Sequence, residues 1–177
     1  MNTDKIGKII LSQKQIAEKI KKMAARIEDD YQEKNPIIVS ILKSSIYFLS
    51  DLTREMSISL NIDFLGIERY AAADNRGQIH LEKNLELSID GRHVIIVDAI
   101  INTGLTHSYL IKNLQPRSPA SLKICTLIEN TEKRLVNLPI SYRGFTFTDP
   151  DIFVIGYGLD YEENYRHLPY IAEFNKD

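Results

Sequence analysis

At 177 residues and 20.3 kDa, the chain is long enough for one compact domain with a substantial core and too short for two of ordinary size, so a single domain over 1–177 is expected. Apolar residues make up 44% and charged residues 26%, the balance of a globular protein rather than a disordered or membrane one. The formal net charge of −2 gives no general polyanion-binding character, which excludes nucleic acid as an expected partner and requires any phosphate site to be built locally.

The N-terminal stretch has no apolar segment of signal-peptide length, and the longest apolar run, near 94–97, is interrupted by Asp98, so no membrane partner is expected. Ser12 followed by Gln15 suits a capping box, and Ile16, Ile20, Met23, Ala24 and Ile27 recur on one face, which predicts an amphipathic helix stopped by Pro36. Residues 37–42 (IIVSIL) form a β-branched run suited to a strand buried on both faces. A second helix is predicted through Ile46, Leu49 and Leu52. Leu60, Ile62 and Phe64 then alternate with polar residues, as in a strand with one wetter face. The tract 66–83 contains Ala71, Ala72, Ala73, Asp74, Asn75, Arg76 and Gly77, with no apolar period, and is expected to be a mobile hairpin or flap.

Asp90-Gly91 marks a turn, after which 94–97 is a buried strand leading into a loop over 98–103. A helix is predicted from near Gly104, carrying Leu105, Leu110, Ile111 and Leu114 up to Pro116, and Leu122, Ile124, Thr126 and Ile128 begin another strand. The single Cys125 lies in that apolar stretch, cannot form an internal disulfide and suits a reducing, cytoplasmic location. The last strand expected is 153–155. Strand and helix alternate throughout, which predicts an α/β fold with a mainly parallel sheet flanked by helices.

The segment VIIVDAIINTGLT (94–106) carries the chemistry. A buried strand empties into a short loop and then a helix N-terminus, an arrangement that points backbone amides and the positive end of the helix dipole at one spot, with hydroxyls from Thr103 and Thr106. A monophosphate suits that place; the alternative is an ordinary strand-loop-helix in which Thr and Gly serve only as turn and cap residues. The Walker pattern GxxxxGK[ST] and the dinucleotide pattern GxGxxG are both absent.

This segment resembles the phosphoribosyl-pyrophosphate motif of the type I phosphoribosyltransferases. The resemblance to their hypoxanthine-guanine branch extends through IILSQKQI, SILKSSIYFLSDL, IDFLGIERY, SYLIKNLQPRSPASLKICTL and, most specifically, FVIGYGLDYEENYRHLPYI. It implies a parallel sheet core with a small hood and a flexible flap, binding phosphoribosyl pyrophosphate with Mg²⁺ and displacing pyrophosphate with a 6-oxopurine to make a purine nucleotide. The family commonly forms homodimers or homotetramers. By resemblance, Ile101, Asn102, Thr103, Gly104, Leu105 and Thr106 would cradle the 5′-phosphate, and Asp98 would face the ribose hydroxyls or their metal. Leu42, Lys43, Ser44 and Ser45 would form the pyrophosphate loop, with Arg166 also on the pyrophosphate. Asp160 would face Mg²⁺ beside the purine, Phe153 would stack on the purine, and Val154 would read its edge through the backbone. Asn102, Lys43 and the flap residue Tyr70 would stand at the reacting centre. On the residues alone, Phe153 also suits a core aromatic, Lys43 and Arg166 solvated charges, and Asp160 an Asx turn.

The chain departs from the family pattern at several points. Where that pattern has a second and a third acid, Ala99 and Asn102 stand; the third carboxylate is the group taken to receive or stabilise the purine N7 proton. Its loss removes a general-base role worth about 10²- to 10⁴-fold in rate. The family's purine-reading Lys is Asn130, its loop Gly is Ser44, and the Ser before Tyr70 is Arg69. Two readings follow: an active but atypical purine-salvage transferase, or a degenerate paralogue that senses phosphoribosyl pyrophosphate or a purine nucleotide.

Overall fold

A computed structural model describes residues 5–70 and 78–175, and in it the capping box expected at Ser12 is formed: the Gln15 amide donates to Ser12 Oγ at 3.3 Å and the Ser12 amide to Gln15 Oε1 at 2.9 Å. The capped helix, α1, covers Gln13–Tyr31 and buries Ile16, Ile20, Met23, Ala24, Ile27 and Tyr31, following a strand β1 at Ile6–Leu11 that its sequence did not announce. The helix stops at Tyr31, ahead of Pro36, where Glu33 and Asn35 take left-handed angles (φ 59° and 42°). Among the described residues no helix is long and apolar enough to cross a membrane.

β2 occupies Ile37–Leu42 as expected, and its alternate residues enter opposite layers. Ile38 packs with the residues of α1, whereas Ile37, Val39 and Ile41 join a second cluster with Leu110 and Leu114. α2 (Ile46–Arg54) buries Phe48, Leu49 and Leu52, while Ile46, expected on the buried face, is exposed.

β3 (Asn61–Tyr70) follows the expected alternation only in part: Phe64 packs against the core, whereas Ile62 is 42% exposed and the other face buries Asp63 and Leu65. The reason lies in backbone groups outside the strand. Asp63 Oδ2 accepts the amides of Glu86 and Leu87 at 2.8 and 2.9 Å, and its Oδ1 accepts the Phe64 amide at 2.7 Å. A buried carboxylate thus ties down a segment with no strand partner of its own. Asp63→Ala is expected to lower the unfolding free energy by about 2–3 kcal/mol, since it leaves those amides unsatisfied. The check is the urea midpoint at unchanged m-value; a wild-type midpoint would show that the amides find other partners.

β4 (Gln78–Lys83) pairs antiparallel with β3, so the tract expected to be a flap has strand arms; its centre, 71–77, lies outside the described residues. β5 runs over His93–Ile101, so Asp98, Ala99, Ile100 and Ile101, expected in a loop, are strand residues, paired with β6 (Ser121–Asn130) from His93↔Ser121 to Ile101↔Glu129. The β-branched Ile100 and Ile101 continue the strand past the buried carboxylate. α3 (Leu105–Leu114) then leads through a single 3-10 turn at Gln115–Arg117 into β6. β7 (Ile140–Phe147), also unannounced, completes a six-stranded sheet of order β4-β3-β2-β5-β6-β7, parallel except for β4. Residues of α1 and α2 cover one face and residues of α3 the other.

The hood is a separate antiparallel sheet of order β1-β9-β8, made from the first strand of the chain and the last two, β8 (Val154–Ile155) and β9 (Ile171–Phe174). The strand expected at 153–155 is therefore shorter by Phe153 and is not the last one.

Candidate active site

From β2 the sheet grows one way through β3, and from β5 the other way through β6. Ligand crevices of open α/β sheets lie at such a reversal, outside the carboxyl ends of the strands. Here the loops after Leu42 and Ile101 border a cleft of about 660 Å³. It is lined by Asp98, Ile100, Ile101, Asn102, Thr103, Gly104, Thr106 and His107 from β5, the loop after it and α3, by Ile152, Phe153, Val154, Leu159 and Asp160 from the C-terminal part of the chain, and by Ile41, Leu42, Ser44, Ile67 and Lys133.

Gly104 is the N-cap of α3 at φ +82°, and no side chain caps the helix. The Leu105 amide makes a long 3.4 Å contact to Thr103 Oγ1, which leaves this amide available to an anion at the helix N-terminus. A Cβ on Gly104 would lie 2.5 Å from Arg134 Nη1 and 2.9 Å from Val136 and Leu138, so the 134–138 segment packs directly on the loop. Asn102 is exposed on the cleft, and Leu105, expected in the cradle, is exposed and does not line it. Ala99 is 1% exposed within the apolar core, which suits its methyl group and not the acid of the family pattern.

Asp98 is buried at the end of β5 yet lines the cleft. Its Oδ1 accepts from Ser45 Oγ at 2.8 Å, and Ser45 Oγ in turn accepts the Ala99 amide at 3.1 Å. His107 Nε2 lies 3.2 Å from Asp98 Oδ2, in ion-pair reach but outside hydrogen-bonding geometry. Ser45, expected only as a member of the loop after β2, and His107, not singled out by the sequence, are set against Asp98 by the packing of α2 and α3 against β5.

Phe153, on the same cleft, is half-buried. One side meets Tyr161 edge-on (5.9 Å between centroids, 89°) and Phe174 (6.2 Å), and the ring also lines the cleft beside Val154. It is core aromatic and platform at once. Asn130, expected to read the purine, does not line the cleft: it is 1% exposed, its Nδ2 donates to the Asp149 carbonyl at 2.8 Å and its Oδ1 accepts the Lys133 amide at 3.3 Å.

Lys43 and Arg166 stand at the rim, outside the lining, and are joined by a residue that the sequence did not single out. Glu163 accepts from Lys43 Nζ at 2.9 Å through Oε2 and pairs with Arg166 Nη2 at 3.0 Å through Oε1. Arg166 Nη1 also meets Asp160 Oδ1 at 2.8 Å and donates to the Gly158 carbonyl at 2.8 Å. The bond to Lys43 first, then the charge of Arg166, holds the Glu163 carboxyl below the ordinary carboxylate range. The Leu42–Lys43 peptide bond is cis. Tyr70 is the last residue of β3 and borders the undescribed 71–77; its placement toward the cleft lies outside what is described.

Comparison with known proteins accords with this geometry. The family described as phosphoribosyl transferase domain matches residues 7–162. A hypoxanthine-guanine phosphoribosyltransferase of Streptococcus pneumoniae is 40% identical over 173 residues, 97% of this chain and 95% of that protein. A hypoxanthine-guanine-xanthine phosphoribosyltransferase of Tritrichomonas foetus is 36% identical over 170 residues, 96% of this chain and 92% of that protein. The crystal structure of a hypoxanthine-guanine phosphoribosyltransferase from Bacillus anthracis, with HEPES in its active site, has a TM-score of 0.90 to this chain at 36% identity, covering 96% of this chain and 99% of that one.

Proposed function

Because the chain belongs to the phosphoribosyl transferase family, in its hypoxanthine-guanine branch, we propose that the cleft holds phosphoribosyl pyrophosphate and a 6-oxopurine together and transfers the phosphoribosyl group between them. The bond from ribose C1′ to the pyrophosphate oxygen breaks, a bond from C1′ to the purine nitrogen forms, and the product is a purine nucleotide, as in salvage. One observation carries this reading: a helix N-terminus without a side-chain cap at Gly104 and a half-buried aromatic ring line the same cleft.

Each part of the chain then has a task. The α3 N-terminus receives the 5′-phosphate with fixed amides and the positive dipole end. Asp98, oriented by Ser45, accepts from the ribose hydroxyls. Phe153 stacks on the base and the Val154 backbone meets its edge. Lys43 and Arg166 take the departing pyrophosphate. Asp98 and Asp160 are hard oxygen donors on the same cleft, and among the described residues no cluster of three or more potential ligands forms a complete cage. Such a donor set fits Mg²⁺, which is ordinarily held by one or two carboxylates together with substrate phosphates. Bound there, Mg²⁺ would supply charge neutralisation to the leaving group.

The test is pyrophosphate release with hypoxanthine, guanine, xanthine and adenine. Base-dependent release is expected, greatest with a 6-oxopurine; its absence from folded protein with every base would overturn the reading. A nucleotide-sensing role without turnover, left open by Ala99 and Asn102, is not favoured by the relatives compared above, which are named as transferases.

Glu163 competes for the two cations that pyrophosphate needs. Glu163→Gln is expected to tighten pyrophosphate binding about two- to fivefold, in line with a solvent-exposed ion pair. The linkage sign follows from the lowered carboxyl: the bridge is complete above the ordinary glutamate range and is lost as pH falls through the depressed folded value. Calorimetry with pyrophosphate checks this, and unchanged affinity in the variant would show that Glu163 does not compete.

A further inference from the structure

Lys133 is the only lysine or arginine lining the cleft among the described residues. Its Nζ donates to the Ile152 carbonyl at 2.9 Å, the backbone group immediately before the Phe153–Val154 pair. An ammonium carries three donors and no acceptor, and this contact uses one. The remaining donors sit at the edge of the aromatic platform.

The backbone that carries Lys133 is fixed on both sides. Behind it, the Asn130 amide side chain bridges the Lys133 amide and the Asp149 carbonyl. Ahead of it, the Arg134 fork grips Glu129 at 3.0 and 2.8 Å, and the Leu135 amide donates to the Thr103 carbonyl at 3.0 Å. The last of these ties the lysine-bearing turn to the phosphate loop itself. Asn130 therefore builds the turn and Lys133 faces the cleft.

We propose that Lys133 reads the 6-oxo group of the purine in this chain, a task that Asn130, buried and bonded through both ends of its amide, does not perform. The proposal rests on the function proposed above and adds to it the residue that sets base choice. A 6-oxo group accepts from the ammonium, whereas a 6-amino group meets donor with donor and leaves both unpaired. The ammonium holds its own position through Ile152, so the base meets a donor already in place rather than one that has to be ordered on binding.

The experiment compares wild type with Lys133→Met and Lys133→Arg. It measures KM for hypoxanthine and guanine, KM for phosphoribosyl pyrophosphate, and calorimetric affinity for inosine and adenosine monophosphates. In Lys133→Met the KM for both bases is expected to rise about 10- to 100-fold, the range for a charged hydrogen bond, with kcat and the phosphoribosyl-pyrophosphate KM nearly unchanged. The preference for inosine over adenosine monophosphate should fall by a similar factor, and Lys133→Arg, which keeps a charged donor, should recover most of both. Lys133 is half-exposed, so the fold should tolerate methionine; if it does not, Lys133→Gln, which lacks the charge but keeps a polar end, carries the same comparison against Lys133→Arg. Turnover with unchanged base KM in the variant overturns the Lys133 assignment and leaves the proposed function standing. Absent turnover in wild type, with an inosine preference that the variant loses, does the reverse. A wild type that binds both nucleotides equally overturns the assignment.

Discussion

Replacing Asn102 by Asp is expected to raise kcat by about one to three powers of ten, the range of a positioned acid-base group. The position is suited to a carboxylate: Asn102 is exposed on the cleft, in the loop between β5 and α3, so ionisation there carries little desolvation cost. The gain belongs mainly to the transition state, when the purine nitrogen gives up its proton and positive charge develops on the sugar. KM for either substrate should change much less than kcat. The variant should also acquire a limb in its pH profile that wild type lacks, falling as pH drops through the new carboxyl, because the base is active only when ionised. Steady-state kinetics with hypoxanthine across pH checks both points. An unchanged kcat and profile would mean that proton removal at this place does not limit the wild-type reaction.

Gly158→Ala is expected to abolish most of the activity by moving the loop after β2. Gly158 has φ +96°, and a Cβ there would stand 1.9 Å from the Ser44 carbonyl oxygen and 3.0 Å from its carbon. Neither atom belongs to a flexible side chain, so backbone has to shift. The affected loop contains Lys43 and Ser44 and adjoins Ser45, the residue that orients Asp98. A displacement of about 1 Å in such positioning groups costs on the order of 10²-fold in kcat/KM. The left-handed angle adds about 1–3 kcal/mol of backbone strain to the folded state. Gly91→Ala separates the two effects: Gly91 also has positive φ (+65°), but nothing lies within 4 Å of its added Cβ. It should lose stability without losing kcat/KM. Equal kcat/KM in the two variants, each measured well below its melting temperature, would sever the link between Gly158 and the loop after β2.

Much of the scaffold is written in local pattern. The Ser12–Gln15 box, the buried stripe from Ile16 to Ile27, the limits of β2 and the strand-loop-helix at 94–106 all depend on residues close together in the chain, whose periodicity is set by the backbone itself. The same pattern, with the FVIGYGLDYEENYR segment, was sufficient to place the family. It misjudged Ile62 and Asp63 in β3 for an equally physical reason. Alternation identifies apolar side chains, but it does not register that the Glu86 and Leu87 amides need an acceptor, and that need turns Asp63 inward.

The sequence by itself therefore determined the α/β order, the two-faced burial of the central strands and the strand-loop-helix at 94–106, because each is fixed by neighbours within a turn or a strand. The tertiary structure alone decided the rest. It assembled the hood from β1, β8 and β9, joined Lys43 to Arg166 through Glu163, set Ser45 and His107 against Asp98, and turned Asn130 inward while Lys133 faced the cleft. Each of these depends on where a distant carbonyl, amide or charge comes to lie, and a polar side chain takes its orientation from that partner rather than from its own place in the chain.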